Sequence, residues 1–152
     1  MNENVVHTRA KRLKDIAREL NLEDKVVLTG YVSDEELFGI YQISDVIILP
    51  SKIEGFGLTV CEGWLYGKPA IVSSGAGVSE LVIDGANGFT FKAGNHEDLA
   101  EKLKIVLKDN GKYESFCKET VKKCSIDSAF QQIKDIFIEV MKEYGKEGKL
   151  TH

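Results

Sequence analysis

Blocks in which apolar residues recur every three to four positions alternate along the chain with short runs that are apolar throughout. This is the pattern of helices interleaved with buried strands. Leu13, Ile16, Ala17 and Leu20 share one helical face, which predicts a helix from about Thr8 to Leu20. Val26-Val27-Leu28 follows as a short predicted strand ending at Gly30. Ser33 and Glu36 have the spacing of a capping box, in which the serine accepts from the backbone while the glutamate reaches back. They open a second helix through Leu37, Ile40 and Tyr41. Val46-Ile47-Ile48-Leu49, closed by Pro50, is the longest apolar run. A strand apolar on both sides is buried on both faces, as in parallel sheets.

A glycine-rich loop comes next, then a predicted helix from about Leu58 to Tyr66. Gly67 stands where a helix-terminating glycine belongs, with Pro69 two residues on. Pro69 to Val72 reads as another short strand, and Asp84-Gly85 and Asn87-Gly88 mark turns before a strand from Phe89 to Phe91. Asn95 caps a helix carrying Leu99, Leu103, Val106 and Leu107, which stops at Asn110-Gly111. A helical tail is expected over 112–145, where Phe130, Ile133, Phe137, Val140 and Tyr144 form one stripe. The fold class is therefore α/β: a Rossmann-like parallel sheet flanked by helices, in a single domain over 1–152.

Composition sharpens this picture by exclusion. With 152 residues, 43% hydrophobic and 29% charged, the chain suits one soluble globular domain and no disordered or disulfide-scaffold class. A net charge of -4 argues against a nucleic-acid partner, which usually meets a basic excess. No apolar run approaches the ~20 residues needed to cross a bilayer, and the N-terminal stretch lacks the apolar core of a signal peptide. Cys117 and Cys124, seven apart, would sit ~10 Å apart on a helix, too far for a disulfide. A cytoplasmic protein with reduced cysteines is the expectation.

The candidate chemistry lies in Pro50 to Gly67, PSKIEGFGLTVCEGWLYG. Here a buried strand ends, a loop holds Gly55 and Gly57, and a helix begins. Open parallel sheets bind ligands outside the carboxyl ends of their strands. A helix N-terminus there offers free N–H groups to a phosphate, which glycines let approach closely. A tight strand-to-helix turn with no ligand gives the same pattern. Two familiar loops are excluded: Val60 occupies the third glycine position of the dinucleotide fingerprint. Gly63 to Pro69 is one residue too short for a P-loop and has proline where serine or threonine would hold magnesium.

The string EGFGLTVCE, Glu54 to Glu62, resembles the Glu-x7-Glu signature of retaining glycosyltransferases of the GT-B architecture, group 1 or family 4. The spacing alone proves little, since Glu139 with Glu147 repeats it. Specificity comes from Gly30-Tyr31-Val32-Ser33, Asp45 to Ser51, Gly67-Lys68-Pro69, Gly77-x-x-Glu80, Asp84-Gly85 and Asn87-Gly88, which run in the family's order from about Leu13 to Lys108. The resemblance implies the C-terminal, donor-binding half of such an enzyme, lacking its first strands. It implies a donor substrate that is a nucleotide-diphosphate sugar, no metal and no other cofactor.

The resemblance also assigns roles. Glu62 would accept hydrogen bonds from the two ribose hydroxyls, which suits a carboxylate because it only accepts. Glu54 would stand near the reacting carbon of the donor sugar, where negative charge stabilises oxocarbenium character; it is the catalytic candidate. Backbone N–H groups of Gly55, Phe56, Gly57, Leu58 and Thr59 would face sugar hydroxyls and the diphosphate. Tyr31 and Val32 match the segment flanking the base, although Tyr31 also reads as a half-buried strand-end aromatic.

Departures from the family pattern matter. Ala76 replaces one of two glycines before Glu80, a residue expected to hold its loop through backbone hydrogen bonds. Gly63-Trp64 replaces a small-residue and methionine pair, and Gly63 implies either close packing or room for a ligand. Arg9, Lys11, Arg12 and Lys14 read as a solvated helix face. The strands and the helix that carry the family's diphosphate-clamping Arg and Lys are missing, as is the acceptor domain. Val26 to Leu28 and Val46 to Leu49 are thus expected either to pair directly or to have the gap filled by a second chain. The function expected is the sugar-nucleotide-binding domain of a retaining glycosyltransferase with an unidentified acceptor. The alternative is a non-catalytic subunit or interaction fragment. Partners would be the donor and a separate acceptor domain or a second copy, with no nucleic acid and no transmembrane segment.

Overall fold

A computed structural model of the chain describes residues 3–108, 110–125, 134–136, 138, 139 and 142. The chain divides into two compact units, 1–37 and 38–152. In the first, helix α1 (Glu3–Glu19) starts five residues before the predicted Thr8. It ends at Asn21, whose φ of 54° lets Asn21 N–H reach Arg18 O at 3.0 Å and Leu22 N–H reach Ala17 O at 2.8 Å. Asparagine tolerates this left-handed turn, so both final carbonyls are satisfied.

The capping box forms as its spacing predicts. Ser33 N–H donates to Glu36 Oε2 at 2.8 Å, and Glu36 N–H donates to Ser33 Oγ at 3.3 Å. The Ser33 N–H bond, joined by one from the Ser33 hydroxyl to the same Oε2 at 3.0 Å, holds the Glu36 carboxyl below its ordinary value, and the box starts α2 (Asp34–Ile43). Val26 to Leu28, by contrast, is not a strand. A strand exists only through its ladder, and no described strand pairs with this segment. Val27 is 83% exposed.

In the second unit, β1 (Ile47–Leu49), β2 (Ala70–Ser73) and β3 (Gly88–Phe91) form a parallel sheet in that order. Ile48 stands opposite Ile71, and Val72 opposite Thr90. The predicted α/β class and the run of these strands hold. The direct pairing of Val26–Leu28 with Val46–Leu49 is not found: among the described residues β1 pairs with β2 alone.

Helix α3 (Leu58–Leu65) joins β1 to β2, and α4 (His96–Lys108) follows β3. Asn95 Oδ1 accepts from Asp98 N–H at 3.1 Å, the predicted cap. Gly67, at φ 70°, closes α3: its N–H reaches Trp64 O at 3.0 Å and Lys68 N–H reaches Gly63 O at 3.1 Å. That pair of bonds is the Schellman ending the glycine predicts. Val60, Trp64, Ile71, Val72, Val78, Val106 and Tyr113 are fully buried and form the core of this unit.

Of the predicted tail, α5 (Glu114–Thr120) lies between two short 3-10 turns, Asn110–Tyr113 and Val121–Cys124. The stripe from Phe130 to Tyr144 lies outside the described residues.

The expectation of three reduced cysteines is overturned. Cys61 on α3 and Cys124 form a disulfide with a Cα–Cα distance of 6.4 Å, while Cys117 is free and buried. The rejected pair, Cys117 with Cys124, is not formed. Reasoning about spacing on one helix cannot see a partner 63 residues away.

Candidate functional site

The loop after β1 is held against the loop after β2. Glu54 N–H donates to Gly75 O at 3.3 Å, Gly77 N–H to Glu54 O at 3.2 Å, and Val78 N–H to Phe56 O at 2.7 Å. Glu54 and Ala76 form an isolated parallel bridge, so the pairing of β1 with β2 resumes beyond their carboxyl ends. Only glycine fits at 75 and 77, since a Cβ would strike Lys52 O at the first and Gly55 O at the second. Ala76, the departure from two consecutive glycines, is buried without such a conflict.

Gly57 turns this loop into α3. Its φ is 94°, a conformation that favours glycine, and a Cβ there would lie 2.6 Å from Leu49 Cδ2. No side chain caps the N-terminus of α3, and its first turn carries no acidic residue. Val60 N–H already donates to Gly57 O at 3.0 Å, so the N–H groups of Leu58 and Thr59 and the positive end of the dipole are what this helix start can offer an anion. Phe56 is 41% exposed, and Leu58 and Thr59 are exposed beside it.

The two glutamates differ. Glu54 is exposed, and its Oε1 accepts only from the N–H of the next residue, Gly55, at 3.2 Å. Glu62 is half-buried, one turn inside α3. Its Oε2 accepts from the Tyr41 hydroxyl at 2.6 Å. Glu54, Gly55, Phe56, Gly57, Leu58, Thr59 and Glu62 thus lie on one continuous loop and helix start. Tyr31 and Val32 belong to the other compact unit: Tyr31 is 97% exposed and Val32 half-buried. Tyr31 is not a half-buried aromatic, and it follows no strand.

Glu80 corrects a further expectation. Its side chain is exposed and accepts no hydrogen bond from a described residue. Its loop is held instead by Asn87, whose Oδ1 accepts from Ile83 N–H at 2.7 Å and whose Nδ2 donates to Leu81 O at 2.9 Å. Gly63 resolves to close packing, because a Cβ there would collide with Ile47 of β1.

Tyr41 is the residue that sequence reasoning missed. It reads there as one apolar position of an amphipathic helix, and its partner stands 21 residues away. Among the described residues, no three His, Cys, Asp or Glu side chains gather as metal ligands. No described helix is long and apolar enough to cross a membrane.

Comparison with known proteins agrees with this arrangement. Residues 7–123 match the family model for glycosyl transferases group 1. An uncharacterized glycosyltransferase of Methanocaldococcus jannaschii, MJ1607, is 29% identical over 138 residues, covering 88% of this chain and 35% of that protein. The crystal structure of a glycosyltransferase from Rickettsia africae superposes with a TM-score of 0.74 at 28% identity, over 88% of this chain and 36% of that one. Anabaena Alr3699/HepE, solved in complex with UDP, gives 0.69 at 26% identity, over 86% of this chain and 36% of that one. The chain spans about a third of the length of these relatives. Its sequence and its fold, the C-terminal half of a GT-B glycosyltransferase, place it in the group 1 glycosyl transferase family.

Proposed function

We propose that the chain supplies the donor side of a glycosyltransferase that moves a glycosyl group, with retention, from a nucleotide-diphosphate sugar to an acceptor. The observation that carries this reading is Glu62. A carboxylate one turn inside α3, behind an uncapped glycine-led helix start, can bind a ribose diol while the helix N-terminus receives the diphosphate. The UDP bound by the related Alr3699/HepE supports a nucleoside diphosphate as the ligand class.

In this reading Glu62 accepts from both ribose hydroxyls. The N–H groups from Gly55 to Thr59 face the diphosphate and the sugar hydroxyls. Glu54 stands by the anomeric carbon, where its charge stabilises the oxocarbenium-like transition state. No metal or further cofactor takes part, and the acceptor is held by another domain or chain.

Calorimetric titration with UDP, GDP and ADP tests the reading. Glu62→Ala removes charge-assisted bonds worth about 1.5–3 kcal/mol, so affinity for the nucleotide that binds falls roughly 10- to 150-fold with the fold intact. Equal affinity in variant and parent overturns the ribose role. Glu54→Ala weakens the nucleotide sugar more than the bare diphosphate; equal weakening of the two removes Glu54 from the sugar.

A further inference from the structure

Tyr41 is the one residue of α2 that is fully committed to the candidate site. Its ring is buried, and its hydroxyl donates to Glu62 Oε2 at 2.6 Å. The ring stacks on Tyr66, the residue that caps the C-terminal end of α3, with centroids 5.8 Å apart and planes 13° apart. Phe38, one turn back on α2, lies against the other part of this cluster, 6.3 Å from the Tyr66 ring. The phenol is therefore fixed by aromatic packing before any ligand arrives. Glu62 Oε1 receives no hydrogen bond from a described residue.

A free glutamate on a helix surface samples several rotamers, and holding one of them costs entropy when a ligand binds. A donor that already grips one oxygen removes most of that cost. A carboxylate has about four acceptor positions, so one bond to Oε2 leaves both a lone pair there and all of Oε1 for a diol.

We propose that Tyr41 is a positioning residue for the ribose-binding carboxylate, its hydroxyl fixing Glu62 so that Oε1 is presented to the nucleotide. This rests on the reading of Glu62 as the ribose acceptor. The phenol is suited to the task, because burial first, and then the bond and charge of Glu62, hold its proton far more tightly than in free tyrosine. It stays a donor throughout the physiological range. The nearby Thr59 side chain opposes this shift only slightly.

The test compares UDP, GDP and ADP with their 2′,3′-dideoxy counterparts by NMR titration, which reads millimolar affinities. It uses the parent chain, Tyr41→Phe and Glu62→Gln, each checked for folding by circular dichroism. Phenylalanine keeps the stack on Tyr66 and removes only the hydroxyl. The parent is expected to prefer the ribonucleotide by about 10-fold or more, and Glu62→Gln to abolish that preference. Tyr41→Phe should lower ribonucleotide affinity about 3- to 10-fold and leave the dideoxynucleotide, which lacks both hydroxyls, unchanged. A purely structural tie between α2 and α3 would weaken both ligands alike or neither, and either result overturns the proposal while the Glu62 reading stands. Undiminished ribose preference in Glu62→Gln, or a parent that binds none of the three diphosphates, overturns both.

Discussion

The indole N–H of Trp64 donates to the main-chain carbonyl of Asn87 at 3.0 Å, and the same oxygen lies 3.7 Å from Cys117 Sγ. One carbonyl thus links α3, which carries Glu62, to the turn before β3 and to α5. A tryptophan suits this position because its ring fills the core while its N–H finds a buried partner.

The Asn87 side chain completes that junction through Ile83 N–H, Leu81 O and Thr120 Oγ1, the last at 2.9 Å. Asn87→Ala removes all three bonds from a buried side chain, while Thr120 keeps its bond to Phe116 O at 2.8 Å and the Trp64 bond to the main chain survives. A loss of about 2–4 kcal/mol in urea unfolding is expected. A loss below about 0.5 kcal/mol would show that the side chain is not holding the loop.

Gly63 faces Ile47 so closely that any Cβ collides with its side chain. Gly63→Ala gains up to ~1 kcal/mol of helix propensity, yet overpacking costs about 1–3 kcal/mol. A net destabilisation is the expected outcome. Ile47→Ala should couple favourably with it in a double-mutant cycle, since it removes the atoms struck. Strict additivity would place the cause elsewhere.

What the sequence made legible was local. The capping box at Ser33, the Asn95 cap, the Gly67 ending and three parallel strands each follow from chemistry within a few residues. Val26 to Leu28 failed because a strand is decided by its neighbours, and here none is described. Tyr41 with Glu62 and Cys61 with Cys124 stand 21 and 63 residues apart. No spacing rule joins such pairs, and only the packing of α2, α5 and the turn after it on α3 does. Gly63 was undecidable for the same reason, because the sequence does not say what faces the helix.

The cysteines differ in accessibility and acidity. Burial pushes the Cys117 thiol up to about 12, so it is almost wholly protonated at pH 8 and should resist iodoacetamide. Without reductant, mass spectrometry should find no fast-reacting thiol in the folded chain. After reduction, half-buried Cys124 should label first and Cys61, buried on α3, more slowly. The bond closes a 63-residue separation, for which chain entropy gives about 4 kcal/mol of stability. Reduction, or Cys124→Ser, should lower the unfolding midpoint accordingly. Two rapidly labelled thiols without reductant would show that the pair is open in solution.

The last expectation concerns the edge of the sheet. β1 pairs with β2 on one side only, and no described strand lies on the other. Ile48 in its middle is 38% exposed, although the run it belongs to is apolar enough to be buried on both faces. An open apolar edge is a template for another strand. The 152-residue chain on its own should therefore self-associate or bind a partner that covers this edge. Substituting Ile48→Lys should suppress self-association, since an edge lysine opposes strand addition. With the acceptor held by another domain or chain in the proposed function, this chain by itself should transfer no sugar. Light scattering can decide the first point and a donor-hydrolysis and transfer assay the second. A stable monomer that glycosylates an acceptor would overturn this account of the edge.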